Sequence, residues 1–514
     1  MTAKIKRDSH GIKTLYVDGK PFFAYAGEVH NSAASSLDYM KKEIWPKLQE
    51  LNMNSVVVPV YWESLEPQPD QFNFSLVDGL IDQARQNNMR LILLWFGLWK
   101  NAESMYVPAW MKQDTKNYYR VNDVNGKPTK TISPFCQAAV NRDAHAFAEL
   151  MSHLKTYDEE ESTVIMMQVE NEIGVMGSAR DFCATANEAF AQTLPRELAD
   201  GLNLNPQQTW SEAFGYDADE QFMAWYFAKA VEKITEAGQK EYSLPCYANS
   251  WLKQYPWYPG SYPMGGPVPD VQATWKIAAP SLAAFAPDIY VPYCADVMDD
   301  YASDDNPLFI PEIRKDAVAV SYCLYAFAAK NAIGFSPFGI EELGGDPNSV
   351  DRPPMEVMIA LNIDPSAFDI AGSKERLAAT YHLMHELEPL LLKYRGTNHW
   401  QSFVRHGEND YGTFLRFKNY DLQIAYDPRE SGKPLGAGII IELDDNQFLA
   451  IGTMCKLTFM PKQDENTQVD ILELDEGIIE NGQWKTTRVL NGDEKMSISF
   501  GDTLGNYRLN LYKF

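Results

Sequence analysis

The chain has 514 residues, 45% hydrophobic and 22% charged, a globular composition too large for one small core and suited to a large domain with at least one further unit. Its 70 acidic residues outnumber 45 basic ones, and the net charge of −25 disfavours nucleic acid and anionic membrane surfaces as partners while leaving neutral substrates such as sugars open. The basic start, residues 1–10, runs into no apolar stretch, no window approaches the roughly 18 apolar residues of a membrane span, and the six cysteines are scattered without a CxxC, so a cytoplasmic protein with reduced thiols is expected.

In chain order, residues 13–17 and 21–26 read as a hairpin about Asp18-Gly19, ending in the polar tip Gly27-Glu28-Val29-His30-Asn31. A helical pattern over 39–51 leads into a buried strand, 55–63. The unit repeats with a helix at 76–88 and a strand at 90–97 that runs into Leu98-Trp99-Lys100-Asn101-Ala102-Glu103. It repeats again with a helix at 142–155 and a fourth strand from Val164 that ends in Glu170-Asn171-Glu172. An apolar run without alternation marks a strand buried on both faces, as in a parallel sheet. Four strand–helix units with functional-looking tips point to a (β/α)8 TIM barrel more than to a doubly wound sheet.

The second half carries a helix at 219–237, a fifth strand at 244–251, and a long loop rich in Pro, Gly and aromatics from Tyr255 to Trp275, of a length that usually serves function. Strands six, seven and eight are read at 288–293, 307–312 and 332–338, and a closing helix at 374–392 with Ser373 as N-cap. Residues 1–395 thus form the barrel. From 396 to 514 the texture changes to short alternating strands (412–417, 438–443, 456–460), with Asn481-Gly482 and Asn491-Gly492 as hairpin signals, which reads as a small all-β sandwich. Accessory packing, oligomer contact and carbohydrate binding through Trp400 or Trp484 are all open to it.

Strand four ends in Glu172 and strand seven in Glu312. Two carboxylates on separate strand ends are what glycoside hydrolysis needs, one to protonate the departing oxygen and one to attack the anomeric carbon. Glu170, two residues before Glu172 on one strand, is expected on the same side, as a supporting group. Trp62, Trp99, Trp110, Trp251, Trp257, Tyr258 and Trp275 cluster at strand tips or just after them, where rings either stack on sugars or pack in the core. His382 and His385 have metal-binding spacing but no third ligand, and Gly436-Ala437-Gly438 precedes a strand and not a helix. No metal and no cofactor are expected.

These residues resemble glycoside hydrolase family 35 β-galactosidases, in the retaining glycosidase clan built on the (β/α)8 barrel. Val169-Glu170-Asn171-Glu172-Ile173-Gly174 is similar to the family's Val-Glu-Asn-Glu-Tyr-Gly. Gly27-Glu28-Val29-His30, Glu66-Pro67 with Phe72-Asn73-Phe74-Ser75, and Ala102-Glu103 with Val107-Pro108-Ala109-Trp110 match further family text in the same order, over about the first 390 residues. The resemblance implies that Glu172 is the acid/base, Glu312 the nucleophile, and Asn171 a donor to the sugar 2-hydroxyl. It places Glu103 on other hydroxyls and makes Tyr293 a candidate to orient Glu312; His30, Glu63, Trp251 and Trp275, at or just after strand tips, are further candidate substrate contacts, with a structural role the alternative for His30 and the tryptophans. The chain departs from the family at Glu63, where an Asn is usual, at Ile173, and at Ser336-Pro337-Phe338-Gly339. A retaining exo-β-galactosidase acting on an oligosaccharide is expected; another β-glycoside specificity (β-glucoside, α-L-arabinopyranoside or β-glucosaminide) and a silent sugar-binding barrel are the alternatives. Self-association into a homo-oligomer is left open.

Overall fold

The computed structural model describes residues 2–253, 255–350, 352–360, 363–462 and 466–514. Eight parallel strands make the barrel: β1 (Ala24–Tyr25), β2 (Ser55–Tyr61), β3 (Arg90–Lys100), β4 (Val164–Asn171), β5 (Cys246–Trp251), β6 (Ala284–Ile289), β7 (Phe309–Ile313) and β8 (Gly334–Pro337). Their order around the sheet is β1-β8-β7-β6-β5-β4-β3-β2. The ring closes where the Val57 N–H donates to the Gly27 carbonyl (2.9 Å) and the Val29 N–H to the Val57 carbonyl (3.2 Å). Every residue of β2 and β4 is buried, as expected for Val-rich strands covered by helices outside and side chains within. The helices that matter below are α1 (Ser75–Gln86), α2 (Gln137–Asp158), α3 (Ala218–Glu241), α4 (Ala319–Ala329) and α5 (Ser373–Tyr394). No helix among the described residues is long and apolar enough to cross a membrane.

Several boundaries differ from the sequence reading, each for a local reason. The hairpin is Lys13–Val17 with Lys20–Pro21, turning on Asp18 and Gly19 at φ 50° and 79°, while 24–25 leaves it to start the barrel. The 39–51 helix is split. Pro46 has no N–H to donate, and a π-turn over Met40–Ile44 carries the chain past it, with the Trp45 N–H reaching back to Met40. The sixth strand begins four residues before position 288, because Ala284-Phe285-Ala286-Pro287 lacks the β-branched signature of a buried strand. Asp288 therefore moves from the start of that strand to its C-terminal end. Ser373 is the first residue of α5 and not its cap, a place taken by Gly372 at φ 72°.

The C-terminal unit is a sandwich of ten strands: β9 (Trp400–Val404), β10 (Gly412–Arg416), β11 (Tyr420–Tyr426), β12 (Ala437–Asp444), β13 (Gln447–Thr453), β14 (Cys455–Pro461), β15 (Val469–Glu480), β16 (Gln483–Val489), β17 (Ile498–Phe500) and β18 (Gly505–Lys513). One sheet runs β9-β12-β13-β18-β15-β16 and the other β10-β11-β14-β17. Asn481 and Gly482, at φ 48° and 74°, make the tight turn between β15 and β16. Asn491-Gly492 makes no hairpin; it opens the short 3₁₀ turn Gly492–Lys495.

Barrel and sandwich share one apolar core, in which Trp400, Ile439, Ile441, Leu449 and Ile451 join the residues of the barrel. The Trp400 indole N–H donates to the Ala328 carbonyl at the end of α4 (2.9 Å), and Ser321 Oγ bonds both the N–H and the carbonyl of Leu435. Trp400 is thus a joint between the units and not a sugar platform; Trp484 lies half-buried with its N–H on Thr486 (2.9 Å). Trp400→Ala removes a buried indole and leaves the Ala328 carbonyl without its donor, and is expected to cost about 3–5 kcal/mol in urea unfolding. A change below about 1 kcal/mol would mean that the joint contributes little.

Candidate active site

The C-terminal ends of six strands converge on one polar pit. Glu28 follows β1, Lys100 ends β3, Asn171 and Glu172 end β4, Asn249 lies on β5, Asp288 on β6 and Glu312 on β7, and all seven side chains are buried. The register sets Lys100 opposite Asn171 and Asp288 opposite Glu312. This is the end of a barrel at which active sites are built.

Hydrogen bonds fix the orientation of each group. An ammonium can only donate, so Lys100 Nζ takes the amide oxygen of Asn171 (2.7 Å) and turns Asn171 Nδ2 towards Glu312 Oε1 (3.3 Å). The other Glu312 oxygen accepts from the Tyr290 hydroxyl (2.7 Å). Asn249 accepts the Glu172 N–H (2.8 Å) and donates to Asp288 Oδ2 (2.6 Å). The Glu172 carbonyl accepts the Ala102 N–H (3.0 Å), which ties the loop after β3 to the end of β4.

Strand alternation breaks at this junction. Glu170 and Glu172 have φ of 64° and 47°, left-handed values that a Glu adopts only at some energetic cost and that concentrate at functional sites. The break separates the two carboxylates, against the expectation that they share a side. Glu172 lies at the pit, while Glu170 accepts the Trp99 N–H (2.6 Å) and sits beside Asp143 of α2. Asp143 accepts from Trp95 Nε1 and the Leu98 N–H (both 2.8 Å). Burial first, and for Glu170 the neighbouring Asp143 next, push both carboxyls up, so this pair retains a proton and serves as a structural clamp. Gly97 makes room for it: a Cβ there would lie 2.4 Å from Trp95 Nε1 and 2.5 Å from both carboxylate oxygens.

The Lys100 ammonium lies among the buried carboxyls of Glu28, Glu172, Asp288 and Glu312. Burial, then the charge of Glu312, pushes Glu172 up to about 7, with Lys100 opposing. The same two causes push Glu28 and Asp288 well above the carboxylate range. The protons belong to the cluster as a whole.

The residues named from sequence fall into two groups. Asn171, Glu172 and Glu312 come together in the pit. His30 stands beside it, its ring on Glu341 (2.9 Å), lining a cavity of about 420 Å³ with Tyr290, Lys315 and Phe338. Trp251 ends β5 in register with Asp288. Glu63 and Glu103 form ion pairs with Lys112 (2.9 Å) and Lys130 (3.1 Å). The hydroxyl on Glu312 is that of Tyr290, while Tyr293, three residues on, packs half-buried against the core. Trp275 is fully buried, its N–H on the Gly265 carbonyl (3.0 Å) and its ring edge-on to Phe285, and so is a core residue; Trp62 and Trp99 are likewise buried. On α5, His385 packs against Tyr25, with ring centroids 4.4 Å apart.

Sequence reasoning did not single out Glu28, Lys100, Asn249, Asp288 or Tyr290 as site residues. Asp288 and Tyr290 were hidden by the four-residue error in the sixth strand. Lys100 and Asn249 had a visible signal, a polar residue closing an apolar strand.

Residues 37–222 match the glycoside hydrolase family 42 model, described as "Beta-galactosidase", and residues 377–500 match a "Domain of unknown function (DUF5597)". Over these residues the barrel is similar to β-galactosidases. The matching model is that of family 42 and not of family 35, whose text the motifs resemble; an Asn-Glu strand end with a distant Glu reflects a chemistry and does not by itself separate the two. "Beta-galactosidase LacZ" of Lactobacillus acidophilus is 23% identical over 210 residues, 38% of this chain and 28% of that protein. "Beta-galactosidase 11" of Arabidopsis thaliana is 22% identical over 174 residues, 32% of this chain and 19% of that one. The chain thus spans less than a third of the length of these relatives. Among solved structures, a β-galactosidase from the psychrophilic Marinomonas ef1 superposes with a TM-score of 0.48 at 11% identity, covering 71% of this chain and 60% of that one.

Gly97→Ala is expected to force apart Trp95, Asp143 and Glu170, lowering stability by about 1–3 kcal/mol. Thermal unfolding of the variant beside wild type measures it, and an unchanged midpoint would show that the clamp has slack.

Proposed function

We propose that the chain is a retaining exo-β-galactosidase that releases terminal β-D-galactose from an oligosaccharide. The observation that carries this reading is the arrangement of Glu312, held at one oxygen by Tyr290 and at the other by Asn171, with Glu172 as the next residue in the chain. The family 42 match and the relatives' names favour the sugar.

In the first step Glu312 attacks the anomeric carbon and forms an ester. The glycosidic C–O bond breaks, and the Glu172 proton passes to the leaving oxygen. In the second step Glu172, now ionised, takes a proton from water as the water oxygen displaces Glu312 from the anomeric carbon, restoring both groups. A pKa near neutrality suits Glu172 to give and take that proton. The Tyr290 hydroxyl and Asn171 amide stabilise Glu312 as an anion before attack and as a leaving group afterwards. Asn171, fixed by Lys100, has its amide directed where a sugar hydroxyl would lie.

Glu172 must be protonated in the free enzyme, so kcat/KM is expected to fall as pH rises through about 7. Lys100 lowers the Glu172 pKa, and Lys100→Met is therefore expected to move this basic limb to higher pH while reducing kcat through the loosened Asn171. A limb that stays in place in that variant would contradict the assignment of the proton to Glu172.

Specificity is tested with nitrophenyl β-galactoside, β-glucoside, α-L-arabinopyranoside and β-glucosaminide. The β-galactoside is expected to be cleaved fastest, with Glu312→Gln losing several orders of magnitude. Faster cleavage of another sugar would keep the mechanism and overturn the specificity; no cleavage of any would favour a sugar-binding barrel.

A further inference from the structure

The loop after β5 carries a second, unassigned surface. Three residues beyond Glu172, Val175 and Met264 exchange backbone hydrogen bonds (3.2 and 2.9 Å), and the Gly177 N–H donates to the Gly260 carbonyl (2.9 Å). Glycines make this seam possible. A Cβ on Gly174, at φ 150°, would lie 2.6 Å from Pro263, and one on Gly260, at φ 88°, 2.8 Å from the Ser178 nitrogen. The loop after β5 is thus clamped to the loop that carries Glu172.

On that frame lies a cavity of about 440 Å³, walled by Tyr216, Trp257, Tyr258 and Tyr262 over Glu220 and Lys253. Trp257, Tyr258 and Tyr216 are 55%, 60% and 79% exposed, so these rings are not core residues. Burying such a ring would gain about 1.5–3 kcal/mol, and a cluster of three left in water on a stiff frame marks a binding surface. Beneath them, Lys253 (2.9 Å) and the Tyr262 hydroxyl (2.9 Å) both bond Glu220 Oε2. Glu220 Oε1 is buried and has no partner among the described residues, on a side chain only 4% exposed. Flat rings that accept apolar C–H faces, beside the polar groups of Lys253 and Glu220, suit a neutral sugar.

We propose that this cavity is a distal subsite for the leaving-group part of an extended neutral oligosaccharide. This rests on the reading of Glu172 as the acid, since the sugar that departs does so on the side of the group that protonates it, and the cavity is built onto the loop of Glu172. The terminal unit is cleaved in the pit, and the chain beyond it lies against Trp257 and Tyr258.

The test uses two substrates and one binding measurement. For wild type and a Trp257→Ala/Tyr258→Ala variant, kcat/KM is measured on 4-nitrophenyl β-galactoside and on β-1,4-galactotetraose. The tetraose-to-nitrophenyl ratio is expected to fall about tenfold or more, through KM; an unchanged ratio overturns the subsite. Calorimetry then compares tetraose and cellotetraose binding to Glu312→Gln with and without the two substitutions. At least about tenfold weaker binding of one of them supports the subsite, and equal binding, or none to either protein, overturns it. Loss of all nitrophenyl glycoside cleavage in wild type would instead defeat the catalytic reading, and the calorimetric comparison would still decide the subsite.

Discussion

The hydrogen bond from Lys100 to Asn171 is the contact on which the rest of the site depends. Its donor, the Lys100 ammonium, lies among four buried carboxyls, Glu28, Glu172, Asp288 and Glu312. Without it, the push of burial and of the Glu312 charge on Glu28, Glu172 and Asp288 towards the neutral form would go unopposed by Lys100. With it, part of the negative charge is retained and the Asn171 amide has only one orientation. The pit thus sets Glu172, its carboxyl pushed up to about 7, among the residues that hold Glu312, the pairing on which the proposed double displacement rests.

The barrel provides this because parallel strands end together. Most of the strands are largely apolar, and closing the ring gathers the polar residues near their C-terminal ends, Lys100, Asn171, Glu172, Asp288 and Glu312, at one mouth. The outer clamp of Glu170, Asp143 and Gly97 fixes where β4 stops and the left-handed residues begin, and so decides that Glu172 and not Glu170 lies at the pit. Among the described residues the sandwich adds no side chain to the pit. It extends the barrel's own core through Trp400 and the Ile-rich strands β12 and β13.

Much of this was legible in the sequence. Buried strands ending in carboxylates gave the barrel, the two chief carboxylates and the change of texture near residue 396, because burial and turn chemistry leave local signatures. What was not legible depended on register or on position in three dimensions. The sixth strand, Ala-Phe-Ala-Pro-Asp-Ile, has little intrinsic strand preference and is held by its neighbours, so Asp288 was assigned to its start and Tyr290, which follows it, to its middle. Aromatic residues near strand tips look alike in sequence: Trp275 is in the core while Trp257 is in water, and only the packing separates them. The hydroxyl seen on Glu312 is that of Tyr290, just past the end of the sixth strand, which the sequence reading had placed in the middle of it.

The most direct measurement is to trap the covalent intermediate with a 2-deoxy-2-fluoro-β-galactosyl fluoride, which slows both steps, and to identify the labelled peptide by mass spectrometry. The expected result is one label per chain on Glu312, with none formed by Glu312→Gln. A label on Glu28, Asp288 or Glu172, or turnover that proceeds with inversion and leaves no label, would contradict the assignment of Glu312 as the anion that attacks.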